Sequence, residues 1–290
     1  MLQKVVVSMK KNPLINISPV VKWVGGKRQL LESIIPKISK SYGTYIEPFL
    51  GGGAVLFELQ PNKAIVNDSN SELMNVYATI RDNSDELIEI LKIHEKKNSE
   101  EYYYSIRALD RDKSYSELSA VQRAARIIYL NKTCYNGLFR VNSSGQFNSP
   151  YGRYKNPNVV NEITIRAISN YFQTHKIELL NEDYKTTLRR VRKGAFVYLD
   201  PPYLPISSSS SFTGYTENGF PYEKQVELKN ECDKLRSKGI PFLESNSDCE
   251  EIRELYKDYK IKTVRAKRSI NSVAKKRGEI NEVLIYYDKE

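Results

Sequence analysis

The feature that most constrains the fold of this sequence is a short apolar run that ends in an acid and two prolines. Residues 196–199 are apolar or aromatic, which predicts a buried strand. Asp200-Pro201-Pro202-Tyr203 follows immediately. Consecutive prolines fix φ and have no N–H donors, so the chain should leave the strand as a stiff turn whose carbonyl oxygens are free to accept hydrogen bonds.

Such a turn can receive an amino group that is attached to a planar ring. The Asp200 carboxylate and the Pro201 carbonyl would accept the two protons of the amine, and the Tyr203 ring would lie against the ring that bears it. The alternative is an ordinary turn with a solvated acid and a tyrosine packed on its neighbours. Other parts of the chain must distinguish between the two.

Residues 45–53 have the layout of the strand–turn–helix corner in nucleotide-binding folds. Tyr45-Ile46-Glu47-Pro48-Phe49-Leu50 leads into three consecutive glycines, and a predicted helix begins at Ala54. The spacing departs from Gly-x-Gly-x-x-Gly. Asp68 ends the next predicted strand, close to the distance of about 20 residues at which nucleotide folds carry a ribose-binding acid. Because Ser69 and Asn70 follow it, Asp68 could instead cap a helix.

A second glycine pair stands near the beginning of the sequence. Lys22-Trp23-Val24-Gly25-Gly26-Lys27 precedes an apolar-periodic segment that predicts a helix, and its glycines would let the backbone approach a ligand. A plain Gly-Gly turn and a phosphate loop are alternatives. The Walker spacing is not met, because no glycine stands five residues before Gly26 and Arg28 replaces the required Ser or Thr.

Residues 131–155 alternate basic, amide and aromatic side chains around a Ser-Gly turn. This pattern predicts a β-hairpin whose side chains can address base edges and phosphates. Arginine pairs with guanine, asparagine pairs with adenine, and tyrosine or leucine can enter a base stack. A structural hairpin with scattered polar residues is the alternative, and composition alone favours it.

The charge balance favours a polyanionic partner. The 45 Lys and Arg residues outnumber the 35 Asp and Glu residues, a net charge of +10. Charge alone does not distinguish nucleic acid from an anionic membrane. However, no apolar stretch approaches the length of a spanning helix, and residues 1–11 have too short an apolar centre for a signal peptide. We therefore expect a soluble, cytoplasmic protein that does not bind membranes.

Cysteine and histidine are too few for several kinds of catalytic site. Cys134, Cys232 and Cys249 are odd in number and widely spaced, which fits reduced thiols. With only His94 and His175 besides, a metal site or a Ser-His-Asp triad is poorly supplied. No metal is expected, and a substrate that arrives already activated, such as a sulfonium methyl donor, would suit this inventory.

Taken together, these motifs resemble those of the amino-methyltransferases that transfer a methyl group from S-adenosylmethionine to a nitrogen of a DNA base. Asp-Pro-Pro-Tyr is the signature of that group. The sequence is most similar to the D12 class of Dam-like adenine-N6 methyltransferases, over about residues 22–287. The motif order, with the glycine corner first and the tetrapeptide last, resembles the alpha group of these enzymes.

The resemblance implies an α/β protein with a Rossmann-like methyltransferase fold and an inserted, mostly helical target-recognition domain. The catalytic domain would comprise residues 1–70 and 161–290, and the recognition domain residues 71–160, with its β-hairpin at 131–155. Residues 240–243 should form a strand, and residues 259–264 and 282–287 should form an antiparallel pair of strands at the sheet edge. A serine-rich loop at 207–211 is predicted to be a lid, and the basic residues between 265 and 277 a phosphate clamp.

The resemblance also implies roles for individual residues. Asp200, Pro201 and Tyr203 would be catalytic. S-adenosylmethionine would be bound by Trp23, Lys27, Glu47, Phe49, Gly51, Gly53, Asp68, Asp183 and Asp200. DNA would be contacted by Lys22, Tyr135, Asn136, Leu138, Arg140, Asn142, Pro150 and Tyr154.

The implied reaction is methylation of adenine N6 within the palindrome GATC of double-stranded DNA, after the base has been flipped out of the helix. A monomer is expected, and a restriction endonuclease that acts on the same site is a further expected partner. Three alternatives stay open: a cytosine-N4 methyltransferase, which usually has Ser in place of Asp200, a glutamine-N5 protein methyltransferase, which normally has Asn there, and a DNA-binding module without activity.

Overall fold

A computed structural model describes residues 17–38, 41–204, 220–267 and 279–288. Within these residues the chain forms one seven-stranded sheet with helices between its strands. The strands are β1 (Thr44–Glu47), β2 (Lys63–Asn67), β3 (Lys176–Leu180), β4 (Ala195–Leu199), β5 (Phe242–Ser247), β6 (Lys260–Lys267) and β7 (Glu279–Tyr287). The helices are α1 (Leu31–Ile34), α2 (Ala54–Leu59), α3 (Ser71–Asp82), α4 (Ser84–Lys97), α5 (Glu100–Ala108), α6 (Ala120–Thr133), α7 (Glu162–Thr174), α8 (Tyr184–Arg189), α9 (Tyr222–Ser237) and α10 (Glu250–Leu255).

The sheet has the strand order β3-β2-β1-β4-β5-β7-β6. The first five strands in this order are parallel, and β7 pairs antiparallel with both β5 and β6. Parallel neighbours require crossover connections, which are α2 between β1 and β2, α3 to α7 between β2 and β3, and α9 between β4 and β5. The expected Rossmann-like α/β fold is confirmed. Its strand order reverses between β1 and β4, the kind of position at which such sheets bind ligands.

The continuous apolar character of β4 follows from burial on both faces of the sheet. All five of its residues are buried. Phe196 and Tyr198 belong to one hydrophobic cluster, whereas Val197 and Leu199 belong to the other. Because neighbouring side chains point to opposite faces, a strand with a core on each side needs apolar residues at every position.

Helices α3 to α7 lie between β2 and β3 in the sequence and pack against one another. Helix α6 is buried along most of its length, and it begins with a capping box in which Ser119 and Gln122 bond each other's backbone N–H. Helix α7 packs against α3 and α4 and also contacts β3. The division into catalytic and recognition domains stays a prediction.

The segment predicted as a hairpin is less regular than expected. Asn131 to Thr133 belong to α6, which extends further than the sequence pattern indicated. The following residues pair through two isolated antiparallel bridges, Cys134 with Tyr151 and Val141 with Phe147. We call residues 134–155 the recognition loop. Its turn is closed by Asn142 Oδ1, which accepts hydrogen bonds from the N–H groups of Ser144 and Gln146.

The carboxyl-terminal part of the sheet contains one strand whose bounds differ from the predicted ones. The predicted strand at 240–243 instead runs from Phe242 to Ser247, and its polar half, Glu244-Ser245-Asn246-Ser247, is fully buried. The expected antiparallel pair is confirmed as β6 and β7. The predicted lid at 207–211, the basic residues from 268 to 277 and residues 1–11 lie outside the described residues. Among the described helices, none is long and apolar enough to cross a membrane.

Candidate active site

A cleft opens at the carboxyl edge of the sheet, where β1 and β4 are neighbours. The residue after β4 is Asp200, and the glycine corner follows β1. Parallel strands end at the same edge, so two motifs that are far apart in sequence meet there. The cleft is lined by Val24, Gly25, Gly26, Lys27, Glu47, Leu50, Gly51, Gly52, Gly53, Ala54, Val55, Tyr198 and Asp200.

Lys27 and Asp200 form an ion pair inside this cleft. Lys27 Nζ lies 2.7 Å from Asp200 Oδ1, and the two side chains are 6% and 19% exposed. The ammonium also donates to the Gly25 carbonyl at 2.6 Å. Among the described residues, this buried oxygen has no hydrogen-bonding partner besides Lys27, so it keeps a lone pair for another donor. Burial raises the pKa of Asp200 to about 6, although Lys27 opposes the shift and Glu282 adds to it.

Tyr203 is held from two sides. Its hydroxyl donates to Glu282 Oε2 at 2.7 Å, and Lys27 Nζ lies 4.8 Å from the centre of its ring. Burial, together with the nearby Asp200 carboxylate, raises the pKa of Tyr203 well above its usual value, so the hydroxyl remains a donor. Sequence reasoning missed Glu282, which lies on β7 and is brought to Tyr203 only by the sheet.

A buried glutamine holds the second proline of the turn. Gln225 on α9 is fully buried, and its Nε2 donates to the Pro202 carbonyl at 3.0 Å. Its Oε1 accepts from Asn246 Nδ2 at 2.9 Å. Neither amide was predicted as a site residue. The signal that could have found Asn246 is a polar run at the end of an apolar strand, because such sheets bind ligands at their carboxyl edge.

Asp68 organises the glycine corner. Its Oδ2 accepts from the Gly51 N–H at 2.9 Å and its Oδ1 from the Asn70 N–H at 2.9 Å. Asn70, and not Asp68, caps α3 by accepting from Leu73. Burial raises the pKa of Asp68, while the two N–H donors oppose the shift. The acid therefore ties β2 to the glycine turn across the sheet edge.

Two glycines of the corner adopt left-handed backbone conformations. Gly51 has φ of +51°, and a Cβ there would lie 3.2 Å from Trp23 Cδ1. Gly53 has φ of +70°, and a Cβ there would lie 2.8 Å from Phe57 Cε2. Both positions therefore favour glycine for backbone and for space. The lack of a side chain at Gly51 leaves room for the Trp23 ring over the corner.

Glu47 supplies a second acid to the cleft. It is 2% exposed, and its Oε2 accepts from the Tyr45 hydroxyl at 2.9 Å. Burial raises the pKa of Glu47 well above its usual value, and the nearby Asp200 and Asp68 carboxylates raise it further. A cationic group that entered the cleft would reduce the cost of ionising this carboxyl.

Asp183 and Phe49 lie near the cleft but do not line it. Asp183 caps α8, since its Oδ1 accepts from the Lys185 N–H at 2.8 Å. Phe49 packs on Tyr184, with ring centres 5.0 Å apart. Asn67 connects this region to the corner, because its side chain donates to the carbonyls of Pro48 and Glu182 and accepts from the Glu182 N–H.

The recognition loop is attached to the cleft through Trp23. The Trp23 ring stacks on Phe139 at 4.6 Å between centres. Asn131 accepts from the Lys22 N–H and donates to the Lys22 carbonyl, both at 2.8 Å. Gly137 lies against the Lys22 side chain, because a Cβ on it would be 2.6 Å from Cδ. The recognition loop is thus packed directly against residues 22 and 23 at the side of the cleft.

The residues predicted to contact DNA lie on this loop or beside it. Lys22, Tyr135, Asn136, Pro150 and Tyr154 are exposed, whereas Leu138, Arg140 and Asn142 are partly buried. The Tyr135 N–H donates to the Pro150 carbonyl, which brings the two sides of the loop together.

Two predicted DNA contacts are engaged within the loop itself. Arg140 Nε donates to Asn148 Oδ1 at 2.6 Å and its Nη2 to the Asn148 carbonyl at 3.1 Å. Asn142 uses its oxygen to close the turn and donates its Nδ2 to Gln146 Oε1. Neither bond had a signal in the sequence beyond the polar character of the segment.

Nearby, burial and the Lys22 ammonium lower the pKa of Lys132 to about 8. In the described ranges there is no group of three or more His, Cys, Asp or Glu side chains placed to hold a metal ion.

Comparison with known proteins defines the class to which this fold and site belong. Residues 23–270 match the family of D12 class N6 adenine-specific DNA methyltransferases. The chain therefore belongs to this family, and it is an adenine-specific DNA methyltransferase.

Among its relatives are proteins of bacteria and an archaeon. The chain is 46% identical over 277 residues to the type II methyltransferase M1.LlaDCHI of Lactococcus lactis subsp. cremoris, covering 96% of this chain and 97% of that protein. It is 41% identical over 288 residues to the type II methyltransferase M.MjaIII of Methanocaldococcus jannaschii, covering 93% and 98%. It is 33% identical over 285 residues to the DNA adenine methylase of Escherichia coli K12, covering 96% of each.

Proposed function

We propose that the protein transfers the methyl group of S-adenosylmethionine to N6 of the adenine in GATC, in double-stranded DNA, after flipping that base into the cleft. The observation that carries the proposal is the position of Asp200. Its buried carboxylate, with a pKa of about 6, lies in one cleft with the glycine corner and directly precedes two residues without N–H donors. A donor and an amine acceptor can therefore meet at this side chain.

The cleft fits a donor that carries positive charge. Glu47 and Asp200 are buried acids whose pKa values are raised, so a bound ammonium or sulfonium would stabilise their ionised forms. When bound, S-adenosylmethionine supplies an electrophilic methyl carbon. In this proposal Glu47 holds its ammonium, Asp68 its ribose hydroxyls, and Gly51 and Gly53 allow close approach of the backbone.

The other residues proposed to bind S-adenosylmethionine surround the glycine corner and the two acids. Trp23, which packs over the corner, and Lys27, which pairs with Asp200, would enclose the donor. Phe49 and Asp183 would lie on the side of its adenine.

The acceptor amine would be held by the tetrapeptide. An exocyclic amine is a weak nucleophile because its lone pair is delocalised into the ring. Asp200 Oδ1 and the Pro201 carbonyl would accept its two protons and favour a more pyramidal nitrogen, while Tyr203 stacks on the base. As positive charge grows on the nitrogen, the Asp200 carboxylate stabilises it. Asp200 need not be a strong base, because the amine releases its proton only after it has become cationic.

The recognition loop supports the DNA part of the proposal. Adenine N6 is inaccessible to a donor inside the duplex, so the base must leave the stack. Tyr135, which is 57% exposed, could fill the gap, and Arg140 can contact guanine edges. Asn136, Leu138, Asn142, Pro150, Tyr154 and Lys22 would complete the contacts. Relatives named DNA adenine methylase and type II methyltransferase support this assignment.

One experiment tests reaction and site together. The protein is incubated with labelled S-adenosylmethionine and plasmid DNA, and the product is digested to nucleosides and also challenged with endonucleases of different sensitivity to GATC methylation. We expect N6-methyladenine and protection of GATC in the wild type. Asp200→Ala should lose transfer but keep most donor binding, and the exposed Asp82→Ala should match the wild type.

Other outcomes would identify the alternatives. Methyl label on cytosine N4 would replace adenine as the target, and label on added protein substrate instead of DNA would indicate glutamine methylation. Tight DNA binding without any transfer would indicate a silent binding module. We propose further that the protein acts as a monomer and protects host DNA from a restriction endonuclease that cuts the same site.

A further inference from the structure

The two prolines of the turn after β4 can be held by hydrogen bonds only through their carbonyl groups. Pro201 and Pro202 have no N–H, so the backbone of the turn cannot donate hydrogen bonds there. Gln225 Nε2 holds the Pro202 carbonyl at 3.0 Å. This glutamine is fully buried on α9, where an amide that made no hydrogen bonds would be costly. Its bond to the turn is therefore a built feature of the core.

The orientation of Gln225 is determined by a chain of hydrogen bonds that ends in an acid. Asn246 Nδ2 donates both to Gln225 Oε1 and to Glu244 Oε1, each at 2.9 Å. Asn246 Oδ1 accepts from the Ser247 N–H at 2.9 Å. The Ser247 N–H can only donate, so the atom of the Asn246 amide that it meets is the oxygen, and the NH2 group must face Gln225 and Glu244. Gln225 must then present its oxygen to Asn246 and its NH2 to Pro202.

We propose that Gln225 is a positioning residue for methyl transfer, oriented through Asn246 by Glu244, that fixes the direction of the Pro201 carbonyl. The proline rings fix both φ angles, and ψ of Pro201 then sets where its carbonyl points. That ψ cannot change without moving the Pro202 carbonyl away from Gln225. This inference rests on the proposed function, in which the Pro201 carbonyl accepts a proton of the target amine.

The test compares Gln225→Met with Leu228→Ala in the full-length protein. Met preserves the length of the side chain but cannot hold Pro202, whereas Leu228 is buried on the same helix and makes no hydrogen bond to the turn. The readouts are the single-turnover rate constant for methyl transfer, the donor and DNA dissociation constants, and the melting temperature. We expect Gln225→Met to lower the rate constant roughly 5- to 20-fold with both dissociation constants unchanged. Leu228→Ala should lower the melting temperature and leave the rate constant unchanged.

A second variant tests the connection to Asn246. Asn246→Ala should lower the rate constant by a similar factor, and the double variant Gln225→Met/Asn246→Ala should be no slower than the slower single variant, because both changes remove the same constraint. A rate constant within twofold of wild type in either single variant, or equal losses in Gln225→Met and Leu228→Ala, would overturn the inference. Absence of adenine methylation by the wild type would instead overturn the proposed function.

Discussion

The ammonium of Lys27 lies 2.7 Å from Asp200 Oδ1 in a cleft where both side chains are largely buried. This arrangement sets the ionisation of the acid. Burial favours the neutral carboxyl, Lys27 favours the ionised form, and Glu282 opposes ionisation from the other side of Tyr203. The pKa of Asp200 thus depends on two charged residues of opposite sign that can be changed independently.

Activity should therefore fall on the acid side of neutrality. Asp200 must be ionised to accept the amine protons and to stabilise the positive charge, and its pKa is about 6. We expect kcat/KM for the donor, which reports the free enzyme, to fall about tenfold per pH unit below pH 6. Lys27→Met removes the charge that lowers this pKa, so the acid limb should move to higher pH. If the acid limb of Lys27→Met lies at the same pH as that of the wild type, the limb does not report the ionisation of Asp200.

Glu282→Gln should have the opposite effect on the same profile. It retains an oxygen that can accept from the Tyr203 hydroxyl but removes the negative charge that raises the pKa of Asp200. The acid limb should move to lower pH. Tyr203→Phe removes the hydrogen bond without adding charge, so it serves as the control for ring position. Tyr203→Phe should lower the rate severalfold. If it also moves the acid limb as far as Glu282→Gln does, the shift does not come from the charge of Glu282.

Gly51→Ala should destabilise the glycine corner. Alanine at φ of +51° is strained, and its Cβ would press on Trp23 at 3.2 Å. The expected loss of unfolding free energy is about 1–2 kcal/mol. Gly52→Ala is the matched control, because Gly52 lacks a positive φ and its Cβ would make only an ordinary contact at 3.4 Å. Denaturant unfolding of both variants measures the difference, and equal losses would contradict the expectation.

The buried acid Glu244 should make stability depend on pH. Burial raises its pKa from 4.5 to about 7. A folded-state pKa above the unfolded value means that the favourable contribution is complete below about pH 4.5 and is lost as the pH rises through 7. The shift corresponds to about 3 kcal/mol.

Glu244→Gln isolates this effect because glutamine does not titrate. Its unfolding free energy, relative to wild type, should rise by about 3 kcal/mol between pH 4.5 and 8. Asp82→Asn is the control and should give a nearly flat difference over this range, because the hydrogen bond from Arg81 lowers the pKa of Asp82 below 3.8 and the acid is ionised in both states above pH 4.5. Chemical unfolding at several pH values measures both, and a flat difference for Glu244→Gln would be inconsistent with a raised pKa.

Arg140→Lys should relax the sequence preference. Lysine cannot present the two parallel N–H groups that guanine recognition uses, so discrimination should fall by about 1–3 kcal/mol, or roughly 5- to 150-fold, at one base pair. Arg153→Lys is the control, because Arg153 is in the same loop but its side chain is 77% exposed and pairs with Glu100 at the surface. Methylation rates on duplexes with each GATC position changed in turn provide the measurement.

The residues that sequence reasoning could place are those whose signals are local. The apolar run before Asp200, the glycines after β1 and Asp68 after β2 each follow a strand, and the sheet brings all three to one edge. The partners of these residues could not be predicted in this way. Glu282 meets Tyr203 across 79 positions of sequence, through a sheet pairing that no local pattern specifies.

For two elements, β5 and α6, the local sequence pattern predicted the wrong boundary. Glu244-Ser245-Asn246-Ser247 has the composition of a loop, yet β7 on one side and α9 on the other bury it as strand. Tertiary context overrides weak β-propensity in such a case. Similarly, Asn131 looked like the start of a hairpin, but its bonds to the Lys22 backbone hold it in the last turn of α6.

The insertion of β7 between β5 and β6 has a consequence for assembly during synthesis. Strand β6 is synthesised before β7, but β7 is its neighbour in the sheet. Until β7 is synthesised, one edge of β5, the strand that contains the buried acid Glu244, is unpaired. An exposed edge of this kind can pair with another chain. Truncation before Glu279 should therefore yield aggregates instead of a weakly active fragment. The missing strand β7 carries Glu282, the partner of Tyr203, and it also pairs with the edge of β5.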